Sequence, residues 1–126
     1  MEIEVVARAA LILSALLFST QSFSQTANCS VPYIKRLLGQ TVEGRMTVRT
    51  GKQCRIWMDS SLGGILGTRI AQKASAGSAT VNGQAVVYVP KGGYTGTDQF
   101  TYEREEMDRF GKKALSTVRI SVTVIP

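Results

Sequence analysis

The feature that most constrains this chain is a repeated alternation of apolar and polar residues between Arg45 and Ile125. The last run, STVRISVTVIP, shows it most plainly. One face carries Val118, Ile120, Val122 and Val124, and the other carries Thr117, Arg119, Ser121 and Thr123. A period of two is that of a β-strand with one buried face. About seven short runs of this kind, joined by turn residues, predict an all-β chain folded as an antiparallel β-sandwich.

The segment SATVNGQAVVYVP gives the strongest local prediction, which is a tight hairpin at Asn82-Gly83. This dipeptide tolerates the positive φ angles of a type I′ turn. Such a turn sets Val81 opposite Gln84. It places Ala79, Val81, Val86 and Tyr88 on one face and Thr80, Val87 and Val89 on the other. Pro90 has no N–H for a ladder and ends the second strand.

The N-terminal residues predict an exported protein. Ala9 to Phe18 is an apolar run of ten residues, too short to span a bilayer as a helix. Arg8 precedes the run and small polar residues follow it, which is the layout of a secretory signal peptide cut before Gln25. Glu2 and Glu4 weaken the positive region that such a leader carries, and the alternative is an uncleaved anchor.

We therefore expect a signal peptide at 1–24, an N-terminal segment at 25–43 and the β-sandwich at 44–126. The expected location is periplasmic or secreted, with no transmembrane span in the mature chain. The full chain carries a net charge of +6. A basic protein attracts anionic lipid headgroups, acidic glycans and nucleic acid alike, and charge alone does not choose among them.

The two cysteines, Cys29 and Cys54, are both outside the leader. An even pair in an exported protein is most simply a disulfide. That bond would pin the N-terminal segment to the strand that carries Cys54. A redox or nucleophilic cysteine is the alternative, but the chain has no C-x-x-C motif and no histidine.

The stretch from Ile65 to Ile125, and more loosely from Gly44, resembles the bacterial Ig-like and cadherin-like domains. The resemblance is carried by Tyr88 before x-Pro, by the corner GYTGTDQFTY at 93–102 and by the valine-rich last strand. It implies a Greek-key sandwich used for adhesion, as a spacer or for binding. Many relatives hold calcium through acidic motifs, whereas this chain has a single copy and no D-x-N-D cluster.

Catalysis is not expected, because the absence of histidine removes the commonest general base and zinc ligand. Glu103 and Glu105 share a strand face, as the acids of many solvated hairpins do, and a glycosidase needs two carboxylates across a cleft. Two glycine-rich stretches, GGILG at 63–67 and KGG at 91–93, are interpreted as turns. Neither lies between a strand and a helix, as a phosphate-binding loop would. We expect no cofactor and no metal.

Two surfaces are candidates for binding. If the strands at 45–49 and 54–58 pair, Arg45, Arg49 and Arg55 flank an exposed Trp57, which would suit an anionic ligand. The alternative is that a loop covers Trp57 and the arginines are simply solvated. The second surface is the charged stretch EREEMDRFGKK, Glu103 to Lys113, between the last two strands. Its candidate contacts are Arg104, Met107, Arg109 and Phe110, and the alternative is an ordinary extended hairpin laced by ion pairs.

The sequence thus predicts a non-catalytic exported module with a binding or structural role in the cell envelope. Its partner would be an anionic glycan or lipid headgroup, or an envelope protein. Nucleic acid is the least favoured partner because it rests on charge alone. The alternative function is an inhibitor or regulator of an envelope enzyme that acts through the Glu103–Lys113 loop.

Overall fold

A computed structural model describes residues 27–58 and 64–126. Within those ranges the chain forms eight β-strands and no helix. The strands are β1 (Cys29–Ser30), β2 (Thr41–Arg49), β3 (Cys54–Trp57), β4 (Ile65–Gln72), β5 (Gly77–Asn82), β6 (Ala85–Pro90), β7 (Gly96–Met107) and β8 (Lys113–Ile125). The expected signal peptide at 1–24 lies outside the described residues.

The strands form two sheets, which confirms the predicted sandwich. One sheet has the order β1-β2-β8-β7-β4, and the other has the order β3-β6-β5. Five of the six pairings between the described strands are antiparallel, and β2 runs parallel to β8 from Thr41↔Thr117 to Arg49↔Ile125. Strand alternation does not reveal this pair. A parallel pairing needs a long connection, and the connection from β2 to β8 contains most of the fold.

The core lies between the sheets and is built from the faces that the alternation predicts. The four inward residues of β8 are 1 to 2 % exposed. Tyr88, Phe100 and Tyr102 are also buried, and the rings of Tyr88 and Phe100 stack with centroids 5.7 Å apart. Burying side chains of this size contributes roughly 1.5–3 kcal/mol each. These aromatics therefore belong to the scaffold.

The β5–β6 hairpin forms, but the predicted turn is wrong. Val81 lies opposite Val86 and Asn82 opposite Ala85, so the two-residue loop is Gly83-Gln84. Gly83 has a φ of 58°, and no non-glycine residue among those described has a positive φ. One positive φ, at the first loop position, fits a type II′ turn and spares Asn82 the strain of type I′. The register shifts by two residues, so every side chain keeps its predicted face.

Asp98 ties the corner before β7 to the rest of the sandwich. Its carboxylate accepts hydrogen bonds from the backbone N–H groups of Ser75 and Ala76, both at 2.9 Å, and from the Tyr88 hydroxyl at 2.7 Å. The N–H of Gln99 donates a fourth bond at 2.8 Å. Through these bonds Asp98 holds the connection before β5, and through Tyr88 it also reaches the three-stranded sheet.

Within the N-terminal segment, residues 31–40 are anchored against the inner face of the five-stranded sheet. Ile34 packs on the core, and a Cβ placed on Gly44 would lie only 3.0 Å from Ile34 Cδ1. The N–H of Gly39 donates to Ser116 Oγ at 3.0 Å, and Ser116 Oγ donates to Glu106 Oε2 at 2.8 Å. These residues therefore cover the buried polar side chains Glu106, near the end of β7, and Ser116, near the start of β8.

The predicted disulfide between Cys29 and Cys54 is confirmed, with Cα atoms 5.1 Å apart. Cys29 belongs to β1 in the five-stranded sheet and Cys54 to β3 in the three-stranded sheet. The bond therefore joins the two sheets covalently, and it fixes the start of the 31–40 segment beside β3.

Candidate functional site

The first predicted binding surface is not formed, because β2 and β3 do not pair. Strand β2 pairs with β1 and β8, whereas β3 pairs with β6 in the other sheet. Arg45 and Arg49 therefore lie on the outer face of one sheet, and Arg55 and Trp57 lie on the outer face of the other. The alternation of apolar and polar residues correctly predicted which side chains point outward. It did not predict that the short turn after β2 leads from the five-stranded sheet to the three-stranded sheet.

Trp57 nevertheless remains a surface residue. The described residues leave it 68 % exposed. The guanidinium carbon of Arg55 lies 5.9 Å from the centroid of the Trp57 ring, within the range of a cation–π contact. The arginine that the sequence grouped with Trp57 on the same strand thus stays beside it, and the two arginines of β2 do not.

The second predicted surface is mostly strand and not loop. Strand β7 continues to Met107 and β8 begins at Lys113, so the connection is the turn at 108–112. Asp108 Oδ1 accepts hydrogen bonds from the N–H groups of Phe110 and Lys112, each at 2.8 Å. The N–H of Asp108 donates to the carbonyl oxygen of Lys112 at 2.8 Å, so the loop proper is the three residues 109–111. Gly111 has a φ of 78°, as the last residue of a three-residue hairpin loop does.

The hairpin tip presents Arg109 and Phe110 to solvent. Phe110 is 79 % exposed, and the Arg109 guanidinium carbon lies 5.0 Å from its ring centroid. Met107 is half-buried. Along the strands below the tip, Lys113 Nζ lies 3.6 Å from Glu105 Oε1, and Arg69 NH2 lies 2.6 Å from Glu103 Oε2. Ion pairs at such an exposed position stabilise little individually.

Arg104 is not at the surface, which corrects its assignment to an exposed charged loop. It is 5 % exposed and Glu106 is 3 % exposed, because β7 carries both on the inner face that the N-terminal segment covers. Arg104 Nε lies 3.7 Å from Glu106 Oε1, beyond hydrogen-bond distance, and finds no hydrogen-bond acceptor among the described residues. A buried guanidinium with an unused donor is costly unless something else accepts from it.

An open cleft of about 280 Å³ brings Trp57 and Arg104 together. Its walls are the N-terminal segment, β3 and β7, and it is lined by Val31, Pro32, Tyr33, Ile34, Arg36, Ile56, Trp57, Tyr102 and Arg104. Tyr33 is 88 % exposed, so two aromatic side chains stand at the rim. Two arginines share the lining.

Sequence reasoning missed Tyr33 and Arg36, although the cysteine spacing contains a signal for Tyr33. Tyr33 follows Cys29 by four residues and Trp57 follows Cys54 by three. A disulfide brings its two cysteines within about 7 Å, so the residues just after each cysteine become neighbours. The disulfide thus brings the residues that follow its two cysteines to one cleft, where Tyr33 and Trp57 both form part of the lining.

Tyr102 lies in the cleft beside these charges. Burial raises the pKa of its phenol, and the nearby Arg104 and Arg36 lower it only in part, so the pKa stays above its usual value. The hydroxyl is therefore protonated at neutral pH and retains a proton to donate. No group of three or more His, Cys, Asp or Glu residues that could hold a metal ion occurs in 27–58 and 64–126. Nor do those two ranges contain a helix long and apolar enough to cross a membrane.

Comparison with known proteins is informative at the level of the family. A family profile described as a bacterial Ig domain matches residues 39–123, which is most of the described chain and includes β2 to β7 and all but the last two residues of β8. No curated protein matches the chain. The match begins at residue 39, after Tyr33 and Arg36, so the cleft residues of the N-terminal segment lie outside the matched range. The two-sheet fold and the profile agree, and the chain belongs to the bacterial Ig domain family.

Proposed function

We propose that this protein is an exported, non-catalytic module that binds an anionic component of the cell envelope. The cleft between the N-terminal segment and β3 is the observation that carries the proposal, because it combines exposed aromatic rings with guanidinium groups. Membership of the bacterial Ig domain family supports a non-catalytic role. The net charge of +6 supports an anionic partner.

Export is supported by the pattern at 1–24 and can be tested directly. Cells that express the full chain are fractionated, and the protein is identified by its N-terminal sequence. Export predicts a periplasmic or secreted form that begins at or close to Gln25. A full-length chain found in the cytoplasm would contradict the proposal.

Envelope binding is tested by retention of the purified protein on washed envelope fractions. We expect the double variant Tyr33→Ala/Trp57→Ala to lose retention, because it removes both rim aromatics without touching the core. Leu115→Ala is the matched control, since Leu115 is 48 % exposed on β8 and does not line the cleft. Equal retention of all three proteins would show that the cleft is not the binding surface.

A second candidate function is inhibition of an envelope enzyme by the β7–β8 hairpin tip. The exposed Phe110, held on a turn that Asp108 fixes, favours it, since a rigid aromatic anchor is typical of protein contacts. Pull-down from periplasmic extract should then yield one stoichiometric protein partner. Replacing 108–112 by a two-residue Asn-Gly turn should abolish that capture. Capture that survives the replacement would eliminate this function.

A further inference from the structure

We infer that the cleft binds a sugar carboxylate, and so that the ligand is a glycan containing uronic acid. The inference rests on the proposed envelope-binding function and names its ligand class. Three features of the described residues carry it: the aromatic rim, the buried guanidinium and the size of the cleft.

The rim fits the apolar face of a sugar ring. Tyr33 and Trp57 are 88 % and 68 % exposed, and both line the same opening. The flat apolar face and polar edge of these two side chains suit ligands that are part apolar and part polar. A pyranose ring has both characters, since C–H bonds form its faces and hydroxyl groups its edge.

The buried arginine fits a carboxylate. The side chain of Arg104 is 6 % exposed and lines the cleft, and its Nε has no acceptor among the described residues. Glu106 does not supply one, because its Oε2 accepts from Ser116 and its Oε1 stays 3.7 Å from Arg104 Nε. The planar guanidinium fork matches a carboxylate with two parallel hydrogen bonds.

Charge favours a carboxylate over a phosphate at this position. Glu106 offsets part of the positive charge of Arg104, and the pair therefore suits a singly charged group better than a dianion. Arg36 adds a second guanidinium to the lining, and the protonated hydroxyl of Tyr102 adds a neutral donor. The volume of 280 Å³ is just below the range of small-molecule sites, which starts at about 300 Å³, so the cleft fits one ring of a longer chain.

The test uses the single tryptophan of the chain as the reporter, because Trp57 stands at the rim. The disulfide-intact protein is titrated with trigalacturonic acid and with its fully methyl-esterified form, which keeps the rings and loses the charges. We expect saturable Trp57 fluorescence changes with the acid. We expect the Kd for the ester to be at least about tenfold higher than for the acid, because the ester cannot accept the charged hydrogen bond. Equal affinity for acid and ester would overturn the inference.

Variants locate the binding site. Arg104→Gln/Glu106→Gln removes both buried charges together and should weaken binding of the acid at least about tenfold. Tyr33→Ala should weaken binding of acid and ester alike. Arg119→Gln, an exposed arginine on β8 away from the cleft, should leave the Kd unchanged. If the double variant does not fold, the comparison of acid with ester on the unaltered protein still tests the carboxylate assignment.

A phosphate analogue provides a separate test. Tighter binding of galactose 6-phosphate than of galacturonic acid would also overturn the carboxylate assignment.

The two proposals fail in different ways. Retention on envelope fractions that depends on Tyr33 and Trp57, without any saturable signal from trigalacturonic acid, would overturn the ligand class and leave the envelope function standing. Saturable uronate binding without envelope retention would overturn the envelope function and support the ligand class.

Discussion

Asp98 is the residue where a small chemical change should have a large effect on stability. Its carboxylate accepts from two backbone N–H groups of the connection before β5 and from the buried hydroxyl of Tyr88. Asp98→Asn keeps the shape but turns an NH₂ group toward these donors. We expect a loss of about 2–3 kcal/mol in the free energy of unfolding, measured by urea denaturation.

Tyr88→Phe is the matched comparison, because it removes one donor and leaves the backbone bonds to Asp98 in place. It should cost about 1 kcal/mol. A Tyr88→Phe loss equal to that of Asp98→Asn would mean that the backbone bonds contribute nothing measurable.

The same carboxylate predicts how stability depends on pH. Burial raises the pKa of Asp98, but hydrogen bonds from Tyr88, Ser75, Gln99 and Ala76 outweigh it and hold the pKa below its usual value. A lowered folded-state pKa stabilises the fold above the unfolded-state value, about 3.9, and this contribution disappears as the pH falls through the folded value.

The measurement is the urea midpoint from pH 7 to pH 2.5 for the unaltered protein and for Asp98→Asn. The difference between the two proteins should shrink below about pH 4. A constant difference across that range would contradict the assignment.

At the scale of the strand, Gly77 at the start of β5 is required by close packing. A Cβ at this position would lie 2.6 Å from the carbonyl oxygen of Val89 and 2.7 Å from the Tyr88 hydroxyl. Neither atom can move freely, since one is backbone and the other is bonded to Asp98. Gly77→Ala should therefore destabilise the protein by about 1–3 kcal/mol in thermal or urea unfolding.

Gly67 in β4 provides the control within the same fold. A Cβ there would meet no atom within 4 Å. Gly67→Ala should be neutral or stabilise by about 0.5–1 kcal/mol, because alanine restricts the unfolded chain and suits a strand better. Equal destabilisation by both substitutions would refute the packing explanation for Gly77.

The strands and their inward faces were predictable from sequence, because a strand with one buried face alternates apolar and polar residues with a period of two. Val118 to Val124 in β8 is the clearest case, with every second residue buried. Beyond the β5–β6 and β7–β8 hairpins, the strand pairing was not predictable, because the pattern is the same whichever neighbour a strand meets. Hence Arg45 and Trp57 were placed on one surface and lie on two. The same limit applies to Arg104, which reads as one more charge until the 31–40 segment is seen to cover it.

At the scale of the whole molecule, the Cys29–Cys54 disulfide holds the cleft together. β1 has two residues, so this bond is the main anchor at the start of the N-terminal wall. Cys29→Ala/Cys54→Ala opens a loop with a sequence separation of 25 and should cost about 3 kcal/mol in urea unfolding. Calorimetry should also show much weaker binding of trigalacturonic acid by the double variant.

Reduction of the unaltered protein with dithiothreitol is the control for the alanine substitutions, since it breaks the bond without changing the sequence. Uronate affinity that survives both treatments would show that the wall keeps its position without the covalent bond.

The disulfide also has a mechanical consequence. When the protein is pulled from points on either side of the bond, tension passes directly from Cys29 to Cys54 and bypasses the residues between them. Strand β2 and the segment before it then stay slack as a closed loop, even after the sandwich opens. At about 3.4 Å per extended residue, and with 5.1 Å between the bonded Cα atoms, the oxidised chain should lengthen about 80 Å less than the reduced one. The redox state thus sets the reach of the stretched molecule.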